Sequence, residues 1–294
     1  MPEQADNRLE NDLPMTTVLS HFQAGELIDA HEQGAEQHYV SLDLGISESL
    51  VQLTEDQVIL RDDVRLYWDQ IHAIHADENS CFLVQEDDFE KIITFSEEFN
   101  RVYSLLPTRS APTLLVSGIP MHRIKDTDPL QDTLSKIKTV KPLHGVVLDT
   151  ATGLGYTAIE AVRSADHVIT IELDPEVLEI ARLNPWSKRL FDHPRIERRV
   201  GDSYEMVGSF EEQTFDIVLH DPPTIALDGD LYGSVFYTQL HRILKENGRL
   251  FHYIGNPESP SGRSTTSGVI QRLNEVGFQD IRRAPEAFGI VARR

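Results

Sequence analysis

The chain has 294 residues, enough for about two domains of ordinary size, and with 40 % apolar residues, 17 Gly and 15 Pro it has the composition of a folding globular protein. A single cysteine, Cys81, excludes an intramolecular disulfide, a CxxC redox pair and a multi-cysteine zinc site. The net charge of −21, with 20 Arg against 7 Lys, points to a hydrated acidic surface suited to concentrated salt, and so to a halophilic source; it disfavours a nucleic-acid partner except where salt screens the repulsion.

Residues 1–15 are polar and are expected to form a disordered tail, excluded from any site. The opening Met-Pro-Glu-Gln-Ala-Asp has neither the positive end nor the apolar stretch of a signal peptide, and no apolar run approaches a membrane span, so a cytoplasmic protein without membrane contact is expected. Residues 16–110 read as a small β-rich N-terminal domain, with short apolar runs at 39–44, 49–53, 57–60, 64–68 and 81–84 divided by acidic turns. The stretch 89–99 fits strand or helix equally. His72 and His75 fall in what reads as strand, where they face opposite sides, so no metal is expected.

Pro107 and Pro112 mark a boundary, followed by a strand at 113–117 and a helix from Pro129 capped by Asp128. From about 142 the pattern alternates: strands at 146–149, 168–172, 196–200, 215–220 and 249–253, helices at 157–163, 176–183, 231–244 and 267–276. Such alternation predicts an α/β fold with a doubly wound Rossmann-like sheet over 111–294, binding its ligand beyond the carboxyl ends of the strands.

Chemistry concentrates at those ends. The first core strand runs into Asp149-Thr150-Ala151-Thr152-Gly153-Leu154-Gly155, a turn whose glycines admit a ligand to the backbone at a helix N-terminus. With Ala158, and with Glu172 some twenty residues on, the turn also satisfies a dinucleotide pattern, so an NAD oxidoreductase stays open. Asp149 shifts the balance: a pyrophosphate tolerates it poorly, whereas the amino group of S-adenosylmethionine pairs with it. Asp202-Ser203 follows the third strand, where an acid can accept a hydrogen bond from adenine. Asp149, Glu172 and Asp202 then read the amino acid, ribose and base of one cationic nucleoside.

These motifs, with Asp221-Pro222-Pro223 after the fourth strand, resemble class I S-adenosylmethionine-dependent methyltransferases, more narrowly their spermidine-synthase-like branch, and archaeal methyltransferases with a small β domain ahead of the core. The resemblance covers about 113–294. It implies S-adenosylmethionine as cofactor, with Asp149 and the backbone of Ala151, Gly153 and Gly155 at the methionine end, Glu172 on the ribose, and Asp202 with Ser203 at the adenine. It places Asp221 and Pro222 at the acceptor. Thr224 stands where amino-methylating relatives carry an aromatic ring, leaving Tyr232 or Phe236 to supply one.

His122 or Arg123 could close over the cofactor, and His122 joins Asp221 and Pro222 as a catalytic candidate. His220 is a weaker one. Arg263 could meet a phosphate at an acceptor rim. Lys188, Arg189, Arg195, Arg198 and Arg199 form the nearest thing to a basic patch, expected to pair with carboxylates of their own domain. The leading expectation is methyl transfer to a nitrogen or oxygen, on RNA ahead of protein or a small metabolite. The alternatives are aminopropyl transfer from decarboxylated S-adenosylmethionine and a non-catalytic binding module. A cationic or N–H partner for the donor's carboxylate would favour methyl transfer; a carboxylate-lined slot would favour polyamines.

Overall fold

The computed structural model describes residues 16–61, 64–223 and 229–294. The expected tail at 1–15, and Thr224, lie outside them. The chain divides into two compact units between Ile92 and Ile93.

The first unit holds β1 (Thr17–Leu19), α1 (His21–Glu32), β2 (Gln37–Val40), β3 (Ser49–Leu53), β4 (Gln57–Arg61), β5 (Val64–Tyr67), α2 (Trp68–His75), β6 (Phe82–Gln85) and β7 (Asp88–Lys91). Strands β2 to β5 form an antiparallel meander, and β1, β6 and β7 a second small sheet. It is β-rich as expected, with two helices besides. A capping box starts α1, in which the Ser20 N–H donates to Gln23 Oε1 at 3.0 Å, and Ala24, Leu27 and Ala30 then share a buried face at helical spacing. Trp68 begins α2 rather than ending β5: Gln70 Oε1 accepts from the Tyr67 N–H at 2.8 Å, and Ile71 and Ile74 are buried three residues apart. His72 and His75 therefore lie on a helix, not a strand, and the His75 ring meets the His21 carbonyl at 3.2 Å.

The second unit opens with β8 (Ile93–Ser96), β9 (Arg101–Leu106), β10 (Thr113–Val116) and β11 (Ile119–Pro120), an antiparallel sheet in the order β11-β10-β9-β8. The expected boundary at 110/111 thus differs from the observed division. Pro107 and Pro112 sit inside the β9–β10 connection, whose strands pair from Leu106 with Thr113 onward, so the prolines shape a hairpin rather than a linker. The stretch 89–99 resolves into the end of β7, then β8.

The core follows: α3 (Pro129–Thr139), β12 (Val146–Asp149), α4 (Tyr156–Ala161), β13 (His167–Glu172), α5 (Pro175–Leu183), α6 (Lys188–Asp192), β14 (Ile196–Val200), α7 (Ser203–Ser209), β15 (Phe215–His220), α8 (Ser234–Ile243), β16 (Leu244–Tyr253), α9 (Pro260–Glu275), β17 (Gln279–Ala284) and β18 (Gly289–Arg293). Seven strands run in the order β14-β13-β12-β15-β16-β18-β17, the first five parallel and β18 antiparallel to both its neighbours. This is the Rossmann-like sheet foreseen, closed by an antiparallel pair. The strand order reverses beside β12, the switch point at which such sheets bind ligands. Leu148, Phe215 and Val218 on the sheet pack with Phe236, Tyr237 and Leu240 of α8, all 9 % exposed or less.

The cap of α3 forms as expected: Asp128 Oδ1 accepts from the N–H groups of Leu130 and Gln131 at 2.9 and 3.0 Å. Asp128→Ala leaves both donors without it and is expected to cost ~1 kcal/mol of unfolding free energy, read by chemical denaturation.

Candidate functional site

A cavity of about 330 Å³ lies at the carboxyl ends of β12, β13 and β15. Its floor comes from the β12–α4 turn. Its other walls are the β8–β11 sheet, through Tyr103, Leu114 and Val116, and the Asp221-Pro222-Pro223 segment after β15. Of the residues singled out from sequence, Ala151, Gly153, Glu172, Asp202, Ser203, His122, Asp221 and Pro222 all line it. Asp149 and Gly155 do not. Asp149 lies beneath the turn, and Gly155 ends it against Leu190.

The backbone folds over Asp149. The Thr150 N–H donates to the Leu219 carbonyl at 3.0 Å and that of Thr152 to the Ile171 carbonyl at 2.8 Å, so the turn bridges β15 and β13 above the strand end. Asp149 is left fully buried, with Oδ2 accepting from the Thr170 hydroxyl at 3.0 Å and Oδ1 without a partner among the described residues. Burial pushes its carboxyl up to about 8, with the charges of Asp221 and Glu172 adding to the rise. Gly155 begins α4 at φ +76°, and a side chain there would meet Leu190 at 2.6 Å. Gly153, at φ +51°, has open space where its Cβ would be, and so admits a ligand close to the backbone.

Glu172 is tied to this turn. Its Oε2 accepts from the Gly153 N–H at 2.8 Å and its Oε1 from that of Asp174 at 3.3 Å; burial lifts its carboxyl to about 7. Asp202 caps α7 through the Tyr204 N–H at 2.8 Å and is exposed, while the buried Ser203 hydroxyl donates to the Thr150 carbonyl. His122 meets the Thr113 hydroxyl through Nδ1 at 3.0 Å, with its ring 5.2 Å from that of Tyr156. Burial, then the charge of Lys136, lower it to about 3, so it stands as neutral imidazole at ordinary pH.

Beside Asp221 the structure assembles a group that the sequence reading lacked. Lys136 of α3, 2 % exposed, places Nζ 2.6 Å from Asp221 Oδ2 and 3.0 Å from Asp132 Oδ2, over the ring of Tyr253. Arg123 hydrogen-bonds Asp132 through Nε, donates to the Glu286 carbonyl at 2.9 Å and covers the Phe288 ring. It braces the site rather than facing it. Burial raises the Asp221 carboxyl despite the pull of Lys136, while Asp221 and Asp132 raise Lys136 despite its own burial.

Other candidates take structural places. His220 is buried, with Nδ1 on the Thr150 hydroxyl at 2.7 Å and Nε2 on the Leu231 carbonyl at 3.0 Å. Tyr232 and Phe236 are buried in the core and do not line the cavity, whereas Tyr103, Tyr156 and Tyr253 do. Arg263 donates to the Glu258 carbonyl. In the basic group, Arg195 and Arg198 bond main-chain carbonyls rather than the carboxylates expected, and Arg199 pairs with Glu197. No group of three or more His, Cys, Asp or Glu among the described residues is arranged to hold a metal, and none of the described helices is long and apolar enough to cross a membrane.

Comparison with known proteins places this architecture. The uncharacterized protein MJ1233 of Methanocaldococcus jannaschii is 40 % identical over 285 residues, covering 95 % of this chain and 96 % of that one. The chain belongs to the MJ1233 family. The family described as Conserved hypothetical protein 95 matches residues 128–252. Polyamine aminopropyltransferase 2 of Streptomyces coelicolor is 31 % identical over 120 residues, 38 % of this chain but only 22 % of that longer protein. Among solved structures, a spermidine synthase in complex with the transition-state analogue AdoDATO superposes with a TM-score of 0.57 at 20 % identity, over 70 % of this chain and 75 % of that one. The fold is thus that of the spermidine synthase.

The buried acids make stability depend on pH. Asp149 in the fold holds its proton to about pH 8 but, unfolded, only to about 3.8. The folded state therefore binds the extra proton in between. That contribution is complete below about pH 4 and is lost as pH rises through 8. Asp149→Asn is expected to flatten the fall in unfolding free energy between pH 5 and 8, which for one group reaches ~1.4 kcal/mol per pH unit, measured by denaturant titration across that range.

Proposed function

We propose that this protein transfers an aminopropyl group from decarboxylated S-adenosylmethionine to an amine. The observation that carries the reading is the charge of the cavity. Glu172, Asp174, Asp202 and Asp221 line it against one arginine among the described residues, Arg101 of β9. The nearby cation, Lys136, is committed to two carboxylates. A donor that keeps its carboxylate thus finds no uncommitted lysine at the Asp221 end, whereas a cationic nucleoside and an amine both find acids. The aminopropyltransferases matched over the core favour the same reading over methyl transfer, which the sequence alone ranked first.

The cavity suits such a donor. Its volume falls within the ~300–1,000 Å³ of small-molecule sites, and Gly153 leaves the backbone open. In this reading Glu172 holds the ribose hydroxyls, Asp202 and Ser203 border the adenine, and Ala151 to Gly153 face the aminopropyl arm. The sulfonium supplies an electrophilic carbon: the amine's lone pair forms the new C–N bond as the C–S bond breaks with its electrons left on sulfur. Asp221 orients the amine and takes its proton, with Pro222 fixing the backbone beside it; Lys136 holds Oδ2, and Oδ1 makes no hydrogen bond among the described residues. His122, neutral, borders the same space.

Calorimetry in molar KCl with decarboxylated S-adenosylmethionine, S-adenosylmethionine and NAD is expected to show the first bound at least ~10-fold more tightly, with mass spectrometry detecting a diamine that has gained one aminopropyl unit. Methyl transfer from S-adenosylmethionine, or a preference for NAD, would overturn the reading. Asp221→Asn is expected to lower kcat by ~10²–10⁴ with little change in donor affinity, measured by steady-state kinetics and titration.

A further inference from the structure

We propose that Lys136 is the positioning residue that keeps Asp221 ionised and aimed into the cavity, with Asp132 and Arg123 anchoring the lysine in turn. The inference rests on the reading that Asp221 meets the acceptor, and deepens it.

Lys136 cannot be a surface lysine caught in passing. It is 2 % exposed, and its ammonium contacts Asp221 at 2.6 Å, Asp132 at 3.0 Å and the face of Tyr253 at 4.7 Å to the ring centre. Two of these three partners, Asp221 and Tyr253, line the cavity; Lys136 does not. Its direct contacts with the cavity lining therefore run through those two. Asp132 is itself fully buried and takes Arg123 on its other oxygen. The chain Arg123–Asp132–Lys136–Asp221 thus alternates in sign, two cations against two anions, with no net charge to desolvate.

That balance has a chemical use. A carboxylate half-buried at a strand end, facing Asp132 and Tyr253 on one side and Asp149 beneath the turn, would otherwise stay protonated and could not accept the proton an attacking amine releases. The ammonium on Oδ2 holds the negative charge in place and fixes the carboxylate plane, so that Oδ1 is the oxygen available to the acceptor. A buried pair broken from one side leaves the other charge without compensation.

The test is direct observation of the carboxyl. In the full-length protein with ¹³C-labelled aspartate, the Asp221 side-chain resonance is identified by its loss in Asp221→Asn and titrated in wild type and variants. Lys136→Met is expected to raise the Asp221 midpoint by one pH unit or more, about tenfold in proton affinity, and to carry the acid limb of the kcat profile upward with it, while donor KM changes less than about twofold. Lys136→Arg is expected to restore most of both. Asp132→Asn, which leaves Lys136 undivided on Asp221, is expected to lower the midpoint. An Asp221 midpoint that stays put in Lys136→Met overturns the proposal; if that variant fails to fold, an unmoved midpoint in Asp132→Asn overturns it instead. The titration needs no substrate, so a wild type without aminopropyl turnover would sink the functional reading and leave this result standing on its own.

Discussion

A carboxylate taken out of water must find a cation or a set of donors, or else keep its proton, and this site is organised around that constraint. Four acids gather where parallel strands end, in a region whose walls are mostly side chains and turned backbone. Each meets the constraint differently. Asp202 stays exposed as a helix cap. Glu172 is held by two backbone N–H groups. Asp221 takes an ammonium. Asp149, wholly buried with the Thr170 hydroxyl on one oxygen, meets no cation, and burial raises its pKa. Their differing environments, more than their number, set which of them keeps its proton and which is held as a carboxylate.

Much of this was legible in the sequence because it is local. The glycine turn, the acid a strand later and the Asp-Pro-Pro segment each sit directly after an apolar run, and the alternation of strand and helix brings such segments to one edge of a sheet. The cap at Asp128 was equally local. What the pattern could not distinguish was lining from underlying. Asp149 and Gly155 belong to the motif as firmly as Gly153, yet the two hydrogen bonds from Thr150 and Thr152 put the backbone between Asp149 and the cavity, and Leu190 fills the space beside Gly155.

The misses have tertiary causes. Lys136 lies 85 residues from Asp221, in a helix read only for its cap, and no spacing rule links the two. The run at 64–68 and the surroundings of His72 and His75 read as strand, yet α2 begins at Trp68, and the bond from the Tyr67 N–H to Gln70 Oε1 is visible only in three dimensions. The prolines at 107 and 112 look the same in a linker as in a hairpin; the pairing of β9 with β10 decides between them. The bulk charge says nothing of how the cations are placed, and several arginines are spent on carbonyl oxygens rather than acids.

The contact between Tyr103 and Asp174 has a consequence for how such a protein can diverge. The tyrosine hydroxyl, from the wall sheet, donates to Asp174 Oδ2 at 2.8 Å, while Oδ1 of the same side chain accepts from the Glu176 N–H and so starts α5, two residues beyond Glu172. The wall sheet and the β13–α5 connection therefore share one aspartate. Reshaping the wall at Tyr103 takes a donor from Asp174 Oδ2 but leaves the Oδ1 cap of α5 in place, so the wall can vary while the start of the helix is kept.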